Sequence, residues 1–181
     1  SLEDIQEAIK DLDVLAIGMG WDHDEKHFII LKTILENFQG ILIIDADGLN
    51  TLVDHLDLLV GSKANIILTP HLKEFSRLTR KTVREIKKDE ICIAKDFAAY
   101  CYVTLVLKGH TTIVTDGAQV YLCECGGPGM ATSGSGDVLS GVLAGILAYQ
   151  DCSLLSVSAA VMLNGLAGEI AEEKNTDISM I

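Results

Sequence analysis

The chain has 181 residues, 49% of them hydrophobic, and 26 acidic against 14 basic side chains give it a net charge of −12. That length and apolar content suit one domain with a sizeable core, and they exclude a disordered tail or a small disulfide scaffold. So acidic a surface repels nucleic-acid backbones and anionic membranes, so no nucleic acid and no membrane is expected as a partner.

Residues 2–10 read as a helix, and the acidic, amphipathic opening SLEDIQEAIKD does not have the form of a secretory leader. Val14–Ile17 is a short apolar run ending at Gly18 and fits a buried strand. Phe28, Leu31, Ile34, Leu35 and Phe38 recur at helical spacing, which predicts a helix over 24–38 stopped by Gly40. Ile41–Ile44 is the next strand and runs into Asp45-Ala46-Asp47-Gly48. Asn65–Leu68 is a third strand, running into Thr69-Pro70, and a helix should follow with Thr69 as N-cap and Pro70 in its first turn. A charged helix over 83–100 and strands over 103–107, 112–114 and 119–122 come next. A glycine-rich loop, a helix from Asp137 and a last helix over 154–173 complete the chain.

The most apolar stretch, 138–149, is too short to span a membrane, which takes roughly 20 residues. The cysteines are Cys92, Cys101, Cys123, Cys125 and Cys152, an odd number that sets the expectation of reduced thiols in the cytoplasm. Cys123 and Cys125 form a C-x-C with no second ligand pair nearby, and read as two side chains on one face of a strand end.

Strands that are apolar throughout and alternate with helices predict an α/β fold, a mostly parallel sheet covered on both faces. The short connections after residue 103 predict that it ends in an antiparallel hairpin. Ligands of such sheets bind outside the carboxyl ends of the strands. Gly18 and Gly20, Asp45 and Asp47, Thr69 and His71, and Lys108 all fall there.

Residues 126–136 hold five glycines and lead directly into an apolar helix. Glycine lets backbone N–H groups converge, and a helix N-terminus adds unpaired N–H groups and partial positive charge. Together these make a phosphate cradle. Asp137 sits in the first turn of that helix, and two roles stay open for it. It either caps the helix, or it accepts the proton of a hydroxyl that attacks phosphorus. Lys108 either reaches phosphate or points to water. Asn50 fits a helix cap, and Asn164 a packing or capping position.

The run GGPGMATSGSGDVLSGVLAG (126–145) closely resembles the signature of ADP/ATP-dependent NAD(P)H-hydrate dehydratases, members of the ribokinase-like superfamily. IIDADGLN (43–50), ILTPHLKEF (67–75) and VLKGHTTIV (106–114) match the same family in the same order. The resemblance implies a single ribokinase-like domain over 1–181, three-layered α/β/α, covering the C-terminal two-thirds of the family domain and so incomplete at its N-terminal side. It implies repair of hydrated NADH and NADPH, with ADP or ATP as co-substrate and Mg²⁺ as cofactor. The nucleotide phosphorylates the hydrate hydroxyl, and phosphate then leaves.

By position, Asp137 matches the catalytic and hydrate-binding aspartate. The hydrate-binding set is completed by Gly20, Asp47, Asn50 and His71. Lys108, Gly109, His110, Thr111 and Thr112 match the nucleotide-binding segment, joined by Gly134, Ser135 and Gly136. No motif fixes metal ligands. Relatives of this branch often assemble, so a homo-oligomer is expected. A ribokinase-like kinase of a vitamin precursor or sugar shares the glycine loop and Asp137, and a non-catalytic nucleotide-binding fragment is the further alternative. The chain departs from the family pattern at 18–22, where GMGWD stands for the usual GPGLG, and at Gly127, where Asn is usual.

Overall fold

The computed structural model describes residues 2–22, 24–127 and 134–174. Val14–Ile17 (β1), Ile41–Ile44 (β2), Asn65–Leu68 (β3) and Thr104–Leu107 (β4) pair in parallel, and Thr112–Thr115 (β5) and Val120–Cys123 (β6) extend the sheet antiparallel. The spatial order is β1-β2-β3-β4-β5-β6.

Alternation along these strands divides the core in two. Leu42, Ile44, Leu68, Leu105 and Leu107 enter one apolar cluster, whereas Ile41, Ile43, Ile67 and Val106 enter the other. Each fully buried side chain of this kind contributes about 1.5–3 kcal/mol relative to exposure.

Each parallel strand is laid down on the same side of its predecessor, so right-handed crossovers deliver all the crossover helices to one face. Those helices are Glu25–Asn37 (α2), Asp47–Leu52 (α3), Asp57–Val60 (α4), Leu72–Thr79 (α5), Val83–Ile86 (α6) and Glu90–Cys101 (α7), with Leu2–Ile9 (α1) packed beside α2. Ser135–Leu147 (α8) and Leu154–Lys174 (α9) cover the opposite face. The result is the three-layer, mostly parallel architecture that the strand pattern predicts.

Several local expectations change. His71, not Thr69, caps α5. Thr69 is buried beneath β2 instead, its N–H bonded to the Ile44 carbonyl. The helix expected over 83–100 is two: Thr82 and Glu85 form a capping box on α6, and Asp89, with ψ at 60°, separates it from α7. Residues 47–52 are helical, so Asn50 lies inside α3 rather than capping a later helix. The helix assigned from Asp137 begins at Ser135, with Gly134 as its left-handed N-cap.

α9 is long and apolar enough to cross a membrane by length and composition alone. In this fold Val157, Ala160, Val161, Asn164, Gly165 and Gly168 form its buried face, packed on α8, β5 and β6. Gly165 is required there, because a β-carbon would lie 2.7 Å from Cys125.

Candidate functional site

β2, β3 and β4 end on the same side of the sheet, and the amino end of α8 lies against them. Period two explains which side chains meet there. On β2, Asp45 follows Ile41 and Ile43 on the α8 face; on β4, Lys108 follows Val106 on the same face. The two side chains pair, with Lys108 Nζ donating to Asp45 Oδ1 at 2.8 Å. Asp45 is 1% exposed. Its Oδ1 also accepts from the Ala46 N–H at 2.8 Å, and its Oδ2 accepts from Ser140 Oγ of α8 at 3.2 Å.

Ala46 has φ 50° and ψ −124°, a conformation in which side chains are strained. Gly18 closes the same corner, since a β-carbon there would fall 2.1 Å from the Asp45 carbonyl oxygen. Its own φ of +104° also favours glycine.

His71 stands beside Lys108 because the β3–β4 pairing extends by one bridge, with the Lys108 N–H donating to the Pro70 carbonyl at 2.8 Å. His71 Nδ1 accepts the Glu74 N–H at 3.1 Å, and Glu74 Oε2 accepts the His71 N–H at 2.8 Å. A ring nitrogen that accepts carries no proton, so the imidazole is the Nε2–H tautomer. The 3.4 Å approach of Nδ1 to the Glu74 carboxylate is therefore the geometry of a cap and not of an ion pair.

These elements surround a cavity of about 810 Å³. Asp45, His71, Lys108, Gly136 and Asp137 line it, together with Asn164 of α9. Among the described residues no side chain caps the amino end of α8, so its first-turn N–H groups keep their partial positive charge for a ligand. Asp137 is exposed in that turn, and Gly134 rather than Asp137 is the N-cap.

Of the positions singled out in the sequence, the cavity gathers His71, Lys108, Gly109, His110, Thr112, Gly134, Ser135, Gly136 and Asp137. Gly20, Asp47, Asn50 and Thr111 do not line it. Gly20 is exposed, with open space around it. Asp47 and Asn50 turn toward α5 once α3 starts: Asn50 Nδ2 donates to Asp47 Oδ1 at 3.0 Å, and Arg77 Nη1 donates to Asn50 Oδ1 at 2.7 Å. The middle of the expected phosphate loop, 128–133, lies outside the described residues.

Sequence reasoning placed Asp45 at the strand ends where ligands bind but gave it no role, and it left Glu74, Ser140 and Asn164 out of the site. For Asp45 the signal was present: a carboxylate in step with two buried isoleucines has to face α8. No comparable signal marks Ser140, whose place depends on how α8 lies on the sheet.

A parallel sheet crossed at its carboxyl edge by an uncapped glycine helix mouth, with a lysine below and a carboxylate in the first turn, defines a ribokinase-like domain. A protein of that superfamily from Enterococcus faecalis superposes with a TM-score of 0.85 at 27% identity, over 96% of this chain and 60% of its own.

The model of the NAD(P)H-hydrate dehydratase family (Carb_kinase) matches residues 2–180, and the chain belongs to that family. The bifunctional NAD(P)H-hydrate repair enzyme Nnr of Moorella thermoacetica is 36% identical over 183 residues, covering 100% of this chain and 34% of its own length. The ADP-dependent (S)-NAD(P)H-hydrate dehydratase of Nitrosopumilus maritimus is 36% identical over 167 residues, covering 91% of this chain and 56% of its own length. The ADP/ATP-dependent NAD(P)H-hydrate dehydratase of Bacillus subtilis, co-crystallised with ATP/Mg²⁺, superposes with a TM-score of 0.83 at 26% identity, over 99% of this chain and 64% of its own. The chain thus spans about a third of the bifunctional relative and a little over half of the single-activity one.

Proposed function

We propose that this domain dehydrates the S form of NADH or NADPH hydrate at the expense of ADP or ATP. The observation that carries the reading is the pairing of an uncapped helix mouth with an uncommitted carboxylate, Asp137, on one cavity wall. The N–H groups of Ser135 and Gly136, with Lys108 beside them, suit the phosphoryl group in transfer. Asp137 takes the hydroxyl proton as the hydrate oxygen bonds to phosphorus. The bond from phosphorus to the nucleotide oxygen breaks in the same displacement, and ADP becomes AMP.

Hydroxide leaves poorly and phosphate leaves well. The lone pair of the ring nitrogen expels phosphate, and loss of the neighbouring C–H proton restores the ring double bond. Asp45 and Glu74 also line the cavity, but Lys108, Ala46 and Ser140 already donate to Asp45, and the His71 N–H donates to Glu74, so Asp137 is the proton acceptor. His71, with Nε2–H as a donor, suits the hydrate.

ADP is the favoured donor, because relatives from Nitrosopumilus maritimus and Neisseria meningitidis carry that specificity in their names. Among the described residues no three His, Cys, Asp or Glu side chains converge to hold a metal. The fit is therefore to a Mg²⁺ borne on the nucleotide phosphates, whose charge it offsets. Incubating the protein with hydrated NADH and ADP tests the proposal: the reduced-nicotinamide absorbance band should return. Nucleotide consumption with small alcohols but not with the hydrate would assign the kinase alternative instead.

A further inference from the structure

We propose that Asp45 is a positioning residue of the phosphoryl site, fixing Lys108 Nζ against the mouth of α8 without itself touching the transferred group. The inference rests on the nucleotide reading above and adds to it a residue that none of the family motifs was taken to assign.

A buried carboxylate next to a polyanion site is a liability, because in a poorly solvated cavity it repels the ligand. An asparagine or serine would offer hydrogen bonds without that repulsion. The carboxylate therefore has to supply something they do not, and its bonds show what. Asp45 Oδ1 fixes the Lys108 ammonium at 2.8 Å, and Oδ2 takes the Ser140 hydroxyl from the second turn of α8. One side chain thus ties the end of β4 to the helix whose amino end forms the phosphate cradle. Gly136 completes the fit: the place of its missing β-carbon is 3.1 Å from both Lys108 Nζ and Asp45 Oδ2.

A lysine left to itself has four rotatable bonds and no fixed direction. Held in a charge-assisted hydrogen bond, it presents its remaining N–H groups from one place. Catalysis gains from charges fixed before the reaction, so the loss should fall on turnover.

Asp45→Asn removes one negative charge from beneath the site and frees the lysine. Nucleotide affinity, measured by calorimetry on the full protein, should stay level or tighten, while kcat falls about 10- to 100-fold. Lys108→Met should weaken nucleotide binding at least tenfold and lower the thermal midpoint, since it strands a buried carboxylate. Adding Asp45→Asn to Lys108→Met should recover part of that midpoint and cost no further turnover, because Asp45 acts through the lysine.

Affinity falling in step with kcat in Asp45→Asn, or turnover losses that multiply in the double variant, would overturn the positioning role and leave the nucleotide reading standing. A wild-type protein that binds neither ADP nor ATP overturns both. If Asp45→Asn does not fold, the double variant, which buries no unpaired charge, still carries the comparison with Lys108→Met.

Discussion

Gly136 and Lys108 meet so closely that a single methyl group would part them: a β-carbon on the glycine would lie 3.1 Å from the lysine Nζ. Gly136 sits in the first turn of α8 without a positive φ, so alanine fits its backbone and improves its helix propensity by up to about 1 kcal/mol. Gly136→Ala should therefore change the thermal midpoint little, the gain in helix propensity offsetting the strain on the Asp45–Lys108 pair, while weakening ADP binding about tenfold, because the ammonium is pushed from its place. Calorimetry and thermal unfolding on one preparation check both halves. Unaltered affinity would separate Gly136 from the nucleotide site.

Asp137→Asn should leave the fold intact, at a cost of no more than about 1 kcal/mol of charge–dipole stabilisation, because the side chain is exposed in the first turn of α8. Nucleotide affinity should hold or improve with one anion fewer at the cavity. Turnover should fall at least about 100-fold, the typical weight of a lost general base. A variant that restores the nicotinamide band at near wild-type rate would remove Asp137 from the proton transfer.

The layer order was legible because it follows from short range: four-residue apolar strands, helical spacing in 24–38, and glycine at the strand ends. The cavity lining was legible wherever a residue sits on a strand end or a helix start, as Lys108, His71 and Gly136 do. It failed where the chain turns within two residues of a strand. Asp47 and Asn50 look like strand-end polar groups, but the strained backbone of Ala46 starts α3 at once and sends both toward Arg77. The sequence favours Thr69 over His71 as the cap of α5 for a related reason. Thr69 has the better capping chemistry in sequence, yet the sheet register spends it on β2, and imidazole Nδ1 takes over the cap.

Ala46 should itself be improvable. A non-glycine residue at φ 50° and ψ −124° costs about 1–3 kcal/mol, and glycine gives back roughly 0.5–1 kcal/mol in backbone entropy. Ala46→Gly should then stabilise the fold by about 1 kcal/mol, a rise of about 2–4 °C in thermal midpoint for a chain of this size. Ala46→Val should lower it, because branching makes the same backbone harder to hold. A drop on Ala46→Gly would show that the corner is unstrained.

The thiols give a pH-dependent signature with a definite sign. Cys101 is fully buried, and burial pushes its thiol up to about 11. The unfolded chain loses this proton near its ordinary value of about 9, before the folded chain does. Above that value the native state binds more protons than the unfolded state, so stability falls as pH rises toward 11. Urea unfolding at pH 8 and pH 10.5 should show the loss, and Cys101→Ala should flatten it. Cys92 differs, being exposed yet raised by the charges of Asp89 and Asp96. Its alkylation at pH 8 should be slow for an exposed thiol. Salt should quicken it by screening those carboxylates, and so should Asp89→Asn. Cys101 should label only under denaturant. Rapid labelling of Cys101 in the native protein would contradict both its burial and the alkaline loss of stability that follows from it.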